Sequence, residues 1–207
     1  MPNVSNVRVY ALDDSIRAAK YPKAVELDGL TAELTKGILA CLNCPTGEGH
    51  DNALNGIIVQ FDLTFSQKAW VELQRYHFFD FVSSCSTMHK LQNMDARKQC
   101  NRYVDPRAIN ILQEKIDRYN WLVTTNKKPE YNINPDEIKE ARLEMLYNIP
   151  SGFELTAAMT TNYRQLKTIY QQRRNHALPD WQCFCDFCET LPRFLELTQR
   201  GYKPNED

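Results

Sequence analysis

Apolar and polar residues alternate without a break from Val59 to Phe65. Val59, Phe61, Leu63 and Phe65 are separated by Gln60, Asp62 and Thr64, the period of a strand with one face buried. A weaker alternation (Val7, Val9, Tyr10, Leu12) predicts a first strand within Val4 to Leu12, and Phe153 to Thr160 reads as a third, short one after the Pro150-Ser151-Gly152 turn. Elsewhere the period lengthens to that of a helix. Ile109, Leu112, Ile116, Tyr119 and Val123 form the cleanest amphipathic stripe, and Asp105-Pro106 before it supplies a cap followed by proline in the first turn. Asn134-Pro135-Asp136-Glu137 starts another helix that reaches about Asn148, after a polar loop from Lys127. Asp28 is expected to cap a helix striped by Leu30, Leu34, Ile38 and Cys41, closed by the loop Pro45 to Gly49. Ser66 is expected to cap one carrying Trp70, Leu73 and His77, and a last helix runs from Asp180 to Thr190, where Leu191-Pro192 breaks it. The tail from Gln199 to Asp207 is polar. Strands and helices mingle irregularly rather than in βαβ order, which predicts an α+β fold in a single domain over residues 1–207.

One helical segment departs from the rest in charge. Thr161 to His176 lies within a stretch, Leu155 to Pro179, that has no Asp or Glu yet carries Arg164, Lys167, Arg173 and Arg174. On a helix, Asn162, Leu166, Ile169, Arg173 and His176 fall on one narrow face. A cation aligned with a buried stripe needs an anion or a polar ligand, because an unpaired buried charge is expensive. Arg173 therefore contacts either a ligand or an internal carboxylate, and spacing does not choose between them. Lys167 and Arg174 are expected in solvent.

Composition narrows the function classes. The chain has 207 residues and a formal net charge of −1, so nothing in it favours nucleic acid or a membrane surface. No apolar run reaches the roughly 18 residues of a membrane span, and the N-terminal residues lack the apolar core of a signal peptide. A cytoplasmic protein is expected. Seven cysteines, an odd number, fit a reducing compartment better than a disulfide framework.

The cysteine spacing, Cys41-x-x-Cys44 with Cys183-x-Cys185-x-x-Cys188, admits a zinc site. Against it, Cys41 continues an apolar stripe and Cys185 and Cys188 align with Trp181, the pattern of buried core thiols, so no metal is expected. Phe81 to His89, FVSSCSTMH, is rich in hydroxyls. With His77 and His89 it is compatible with a nucleophile and base, with a phosphate-holding loop, or with a solvated turn. No Gly-x-Ser-x-Gly elbow accompanies it.

Thr161 to Trp181 resembles the C-terminal signature of flavin-dependent thymidylate synthases. There an Asn-x-Arg opens a helix, an Arg ends it, and a His and a Trp follow; here these are Asn162, Arg164, Arg173, His176 and Trp181. Pro150 to Thr156, PSGFELT, resembles the family's approach to that helix, and Gly49-His50 a Gly-His that precedes its central strand. The family's defining motif, R-H-R-x-x-S-x-N-x-x-S-x-R, registers on Tyr76, His77, Phe78, Phe81, Ser83, Ser86 and Met88, with only His77 and Ser86 matching. The resemblance implies the family's α+β fold, with a mixed or antiparallel sheet packed with helices, and a homotetramer whose sites lie between subunits. It implies a protein that binds FAD and dUMP and uses NADPH and methylenetetrahydrofolate for the reductive methylation of dUMP. By position, His77, Asn162, Arg164 and His176 would face the flavin, Arg173 would hold the pyrimidine ring and take part in catalysis, and Ser86 would help hold the nucleotide phosphate. Tyr76, Phe78 and Met88 replace three arginines of the motif, and each charged hydrogen bond so lost is worth about 1.5–3 kcal/mol. The alternative on the same scaffold is a non-catalytic protein that binds or sequesters a nucleotide, with Tyr76, Phe78 and Phe79 stacking on the base.

Overall fold

The computed structural model describes residues 3–202. Among them, strands β1 (Asn3–Tyr10), β2 (Ile58–Ser66), β3 (Phe79–Ser84) and β4 (Glu154–Asn162) form one antiparallel sheet in the order β1-β2-β4-β3. The helices are α1 (Leu12–Ala18), α2 (Lys36–Leu42), α3 (Gln67–Leu73), α4 (Thr87–Lys90), α5 (Ala96–Gln99), α6 (Pro106–Thr125), α7 (Pro135–Tyr147), α8 (Tyr163–Arg173), α9 (Pro179–Thr190) and α10 (Phe194–Thr198). The fold is α+β, as the mixed periodicity predicts. None of the described helices is long and apolar enough to cross a membrane.

The chain packs as two compact units. Among the described residues, one holds 64–72 and 84–156; the other holds 3–63, 73–83 and 157–202. In the first, α5, α6 and α7 enclose Leu91, Ala96, Leu112, Ile116, Met145 and Phe153. Asp105 accepts from the Arg107 amide and Asn134 from the Asp136 amide, so both long helices start where the sequence places a cap before proline. Glu144 on α7 accepts from Lys115 and Arg118 on α6 at 2.7 and 3.0 Å. Those bonds hold its carboxyl below the usual range, the Lys115 hydrogen bond contributing most.

The second unit is organised around aromatic rings. Val59, Phe61 and Leu63 are buried at alternate positions of β2, as the period of two requires. The Phe61 ring lies 5.9 Å from those of Phe79 and Phe184, and Phe184 lies 6.2 Å from Trp181, mostly edge to face. Phe184 and Trp181 come from α9, so burial of that helix fixes the indole that later meets Arg173. Cys185 and Cys188 share this buried face. Desolvation pushes the Cys185 thiol up to about 12, and Cys188 is raised for the same reason. Both are protonated core thiols at neutral pH.

Several expectations are corrected. The first strand stops at Tyr10, because Ala11 turns left-handed (φ 56°) and Asp13 and Asp14 open α1, a helix the alternation did not signal. The helix expected from Asp28 begins only at Lys36, capped by the Thr35 hydroxyl on the Ile38 amide at 3.3 Å. Gly29 (φ 81°) breaks the chain before it, and Leu30 and Leu34 precede the helix. Ser66 does cap α3, accepting from the Ala69 amide at 3.2 Å, but α3 ends at Leu73 and leaves His77 in the following turn. Phe81 to Ser84 belong to β3 rather than to a hydroxyl-rich loop, and Thr161 and Asn162 close β4 rather than opening α8. The short α10 lies beyond the expected break at Pro192, and the tail from residue 203 lies outside the described residues.

Candidate functional site

Helix α8 starts at Tyr163 because Asn162, in extended conformation, turns its side chain to accept the Gln165 amide at 2.9 Å. Its inward stripe is Tyr163, Leu166, Lys167, Ile169 and Arg173. Two of those five are cations, and the structure satisfies them at two separate places.

The first is a buried ion cluster. Lys167 is fully buried, which corrects the expectation of a solvated side chain. Its Nζ donates to the Leu42 carbonyl at 3.0 Å, the Cys44 carbonyl at 2.6 Å and Asp51 Oδ2 at 2.7 Å. The other carboxylate oxygen of Asp51 accepts from Arg164 Nε at 2.9 Å. Asp51 is itself buried, so one carboxylate pairs with two cations of α8 and ties that helix to the segment after α2. Burying Lys167 is tolerable because all three ammonium protons have acceptors. The sequence carried one signal for this: Lys167 stands four residues after Tyr163 and three before Tyr170, at the margin of the stripe.

The second place is the C-terminal end of α8. Arg173, 8% exposed, donates from Nε to the Tyr76 hydroxyl at 2.7 Å. Its guanidinium lies over the Trp181 ring at 4.7 Å and over the Tyr76 ring at 5.6 Å, within the range of cation–π attraction. The Tyr76 and Trp181 rings are 5.9 Å apart at 70°, and the Tyr76 hydroxyl donates to Gln172 Oε1 at 3.0 Å. Tyr76 is held by the turn after α3. Its amide donates to the Leu73 carbonyl at 2.9 Å, Phe78 takes a left-handed conformation (φ 57°), and the Thr161 hydroxyl donates to the Phe78 carbonyl at 2.7 Å. Residues far apart in the chain thus converge as a cation between two aromatic faces, with amide and hydroxyl groups at its edge.

The remaining expected residues are placed as follows. His176 follows α8, half-buried, with Nδ1 accepting from the Leu178 amide at 3.2 Å and its carbonyl from Gln182 at 2.8 Å. His77 is exposed in the turn beside Tyr76. Ser86 belongs to the other compact unit, where its carbonyl accepts from the Lys90 amide at 3.0 Å at the start of α4 and its hydroxyl makes no cap bond. Arg174 reaches Asp186 and Glu189, the latter at 3.1 Å, on the surface. Among the described residues, no group of three or more His, Cys, Asp or Glu is placed to hold a metal ion.

The flavin reading meets a chemical test at these positions. Asn162 Oδ1 and Arg164 Nε, two of the polar groups the resemblance assigns to FAD, are engaged by the helix cap and by Asp51. Positions 76 and 78 offer a phenol and an exposed phenyl ring in place of cations. A dinucleotide diphosphate is bound by cations and clustered amide donors. Fewer such donors stand here than in the family's motif, while the Asn162 amide nitrogen and the outer guanidinium nitrogens of Arg164 are not used by those two bonds.

No family model matches the sequence, and no curated protein matches it. Among solved structures, the chain is similar to thymidylate synthase X of Helicobacter pylori, solved with FAD and dUMP at 2.31 Å. The identity is 17%, the match covers 95% of this chain and 96% of that one, and the TM-score is 0.63. A second structure of the flavin-dependent enzyme from the same organism, also complexed with FAD and dUMP, matches at 16% identity and a TM-score of 0.61, over 94% and 96% of the two chains. The chain has the fold of these synthases.

Proposed function

We propose that the chain binds a deoxyuridine-type nucleotide on a thymidylate synthase-like scaffold and retains it without flavin-dependent turnover. The observation that carries this reading is the Arg173 cluster: a buried guanidinium over Trp181, edged by Tyr76 and Gln172. The dUMP in the related solved structures supplies the ligand class, and Arg173 is the residue that meets its pyrimidine. Arg173 is chosen because a guanidinium presents a fork of donors that pairs with ring carbonyls. In this reading Ser86 is the phosphate contact, and a homotetramer completes the site. The cytoplasm is the expected compartment.

The second reading is reductive methylation of dUMP, with FAD, NADPH and methylenetetrahydrofolate. It is favoured by the persistence of Asn162, Arg164, Arg173 and His176 at family spacing. The loss of cations at positions 76, 78 and 88 weighs against it, since three such contacts together are worth several kcal/mol of flavin or phosphate binding. Two titrations separate the readings. Calorimetry with dUMP shows saturable binding under both. An absorbance titration with FAD shows a bound-flavin band that shifts with dUMP only under the second. Absence of any heat with dUMP overturns both.

A further inference from the structure

The hydrogen bond between Tyr76 and Arg173 has a meaning for selectivity that depends on the proposed nucleotide site. The Tyr76 hydroxyl is an acceptor for Arg173 Nε at 2.7 Å and a donor to Gln172 Oε1 at 3.0 Å, so its proton points away from the arginine and its lone pair toward it. To the guanidinium this oxygen is the equivalent of a ring carbonyl. We infer that Tyr76 is a specificity-determining residue that acts as an internal competitor, its hydroxyl standing on Arg173 where a pyrimidine carbonyl would bind.

Three features of the site support this. Arg173 is 8% exposed, so a ligand reaching its Nε edge has to take the place of what already covers it. The tyrosine ring packs edge-on against Trp181, a contact that holds the hydroxyl at the arginine. The turn that carries Tyr76 is anchored through the Tyr76 amide on the Leu73 carbonyl and through the Phe78 carbonyl, so displacing the Tyr76 side chain breaks neither anchor. An internal competitor lowers the apparent affinity by the fraction of molecules in which it is displaced. It also sets a threshold: a ring that offers Arg173 a good acceptor displaces the phenol, and a ring that presents an amino group there does not.

The test is calorimetric titration of dUMP and of 2′-deoxyuridine into the full chain and into its Tyr76→Phe variant, which keeps the ring and removes only the competing oxygen. Binding of both ligands is expected to tighten by about tenfold or more in Y76F, the range of one hydrogen bond to a charged group, with no change in the unfolding transition beyond a few degrees. Gln172→Leu, which removes the acceptor that orients the phenolic proton, is expected to shift affinity in the same direction by less. Equal or weaker binding to Y76F, with the wild-type chain binding dUMP, overturns the inference and leaves the nucleotide reading intact. A gain for dUMP but not for deoxyuridine places the competition at the phosphate and also overturns it. Absence of binding by both proteins overturns the nucleotide reading itself, and the inference with it.

Discussion

Replacing Lys167 by Met removes the most deeply buried charge described in the chain while nearly conserving side-chain volume. The magnitude follows from what the ammonium group holds. Its three acceptors, at 3.0, 2.6 and 2.7 Å, are two main-chain carbonyls and one oxygen of Asp51. The Leu42 and Cys44 carbonyls lose this donor, and a buried acceptor left unsatisfied costs about 1–3 kcal/mol. Asp51, 2% exposed, keeps Arg164 but loses its buried partner, and breaking such a pair costs about 3–5 kcal/mol. These terms overlap, and release of the lysine from its own desolvation offsets part of them, so the net loss is expected at about 3–5 kcal/mol. Against a total stability of about 5–15 kcal/mol for an ordinary domain, that is a large shift. Urea unfolding followed by tryptophan fluorescence reads it as a lower midpoint at unchanged slope. Arg174→Ala is the control, because its partners Asp186 and Glu189 are on the surface and their loss costs below about 1 kcal/mol. K167M no less stable than R174A would refute the reasoning about the buried cluster.

Other outcomes follow from the same physics. Glu144 has a folded carboxyl held below its ordinary value of 4.5 by Lys115 and Arg118. Its contribution is complete above the unfolded value and is lost as pH falls through the lower folded one; Glu144→Gln is therefore less stable than wild type in urea at neutral pH, with the gap closing as the pH is lowered through the folded value. Thiol titration is expected to label the exposed Cys85 first, while Cys185 and Cys188, buried with raised thiols, react only on unfolding. Fast labelling of Cys188 in the folded protein would contradict its place in the core. Thr161→Val removes the hydroxyl that holds the Phe78 carbonyl at 2.7 Å. It is expected to cost about 1 kcal/mol of stability and to weaken dUMP binding, read by parallel unfolding and calorimetry.

The parts of the fold written in local patterns were legible from the residues. β2 alternates because one of its faces is buried. α6 and α7 announce themselves by a cap and a following proline, and α8 by its stripe. What was not legible depends on contacts between distant segments. Nothing near Lys167 in sequence names its acceptors, since Leu42, Cys44 and Asp51 lie more than a hundred residues upstream. β3 is obscured because, after Phe79, its residues are exposed and the last two are serines, so no alternation marks it as a strand. The stripe of Leu30 and Leu34 misled because their spacing ignored Gly29. At the site, Arg173 stands out as a cation on an apolar face, and the structure sets the Tyr76 hydroxyl and the Trp181 ring against it. The tyrosine was visible only as an arginine missing from a motif; its hydrogen bond to Arg173 was not.

The central claim is that Arg173 holds a deoxyuridine-type nucleotide. Calorimetric titration of dUMP into the flavin-free wild-type chain, in parallel with Arg173→Lys, tests it most directly, because lysine keeps the charge and loses the planar fork. Saturable binding to the wild type, weakened at least tenfold in R173K while both proteins stay folded, is the predicted result. No binding to the wild type, or equal binding to both, would contradict it.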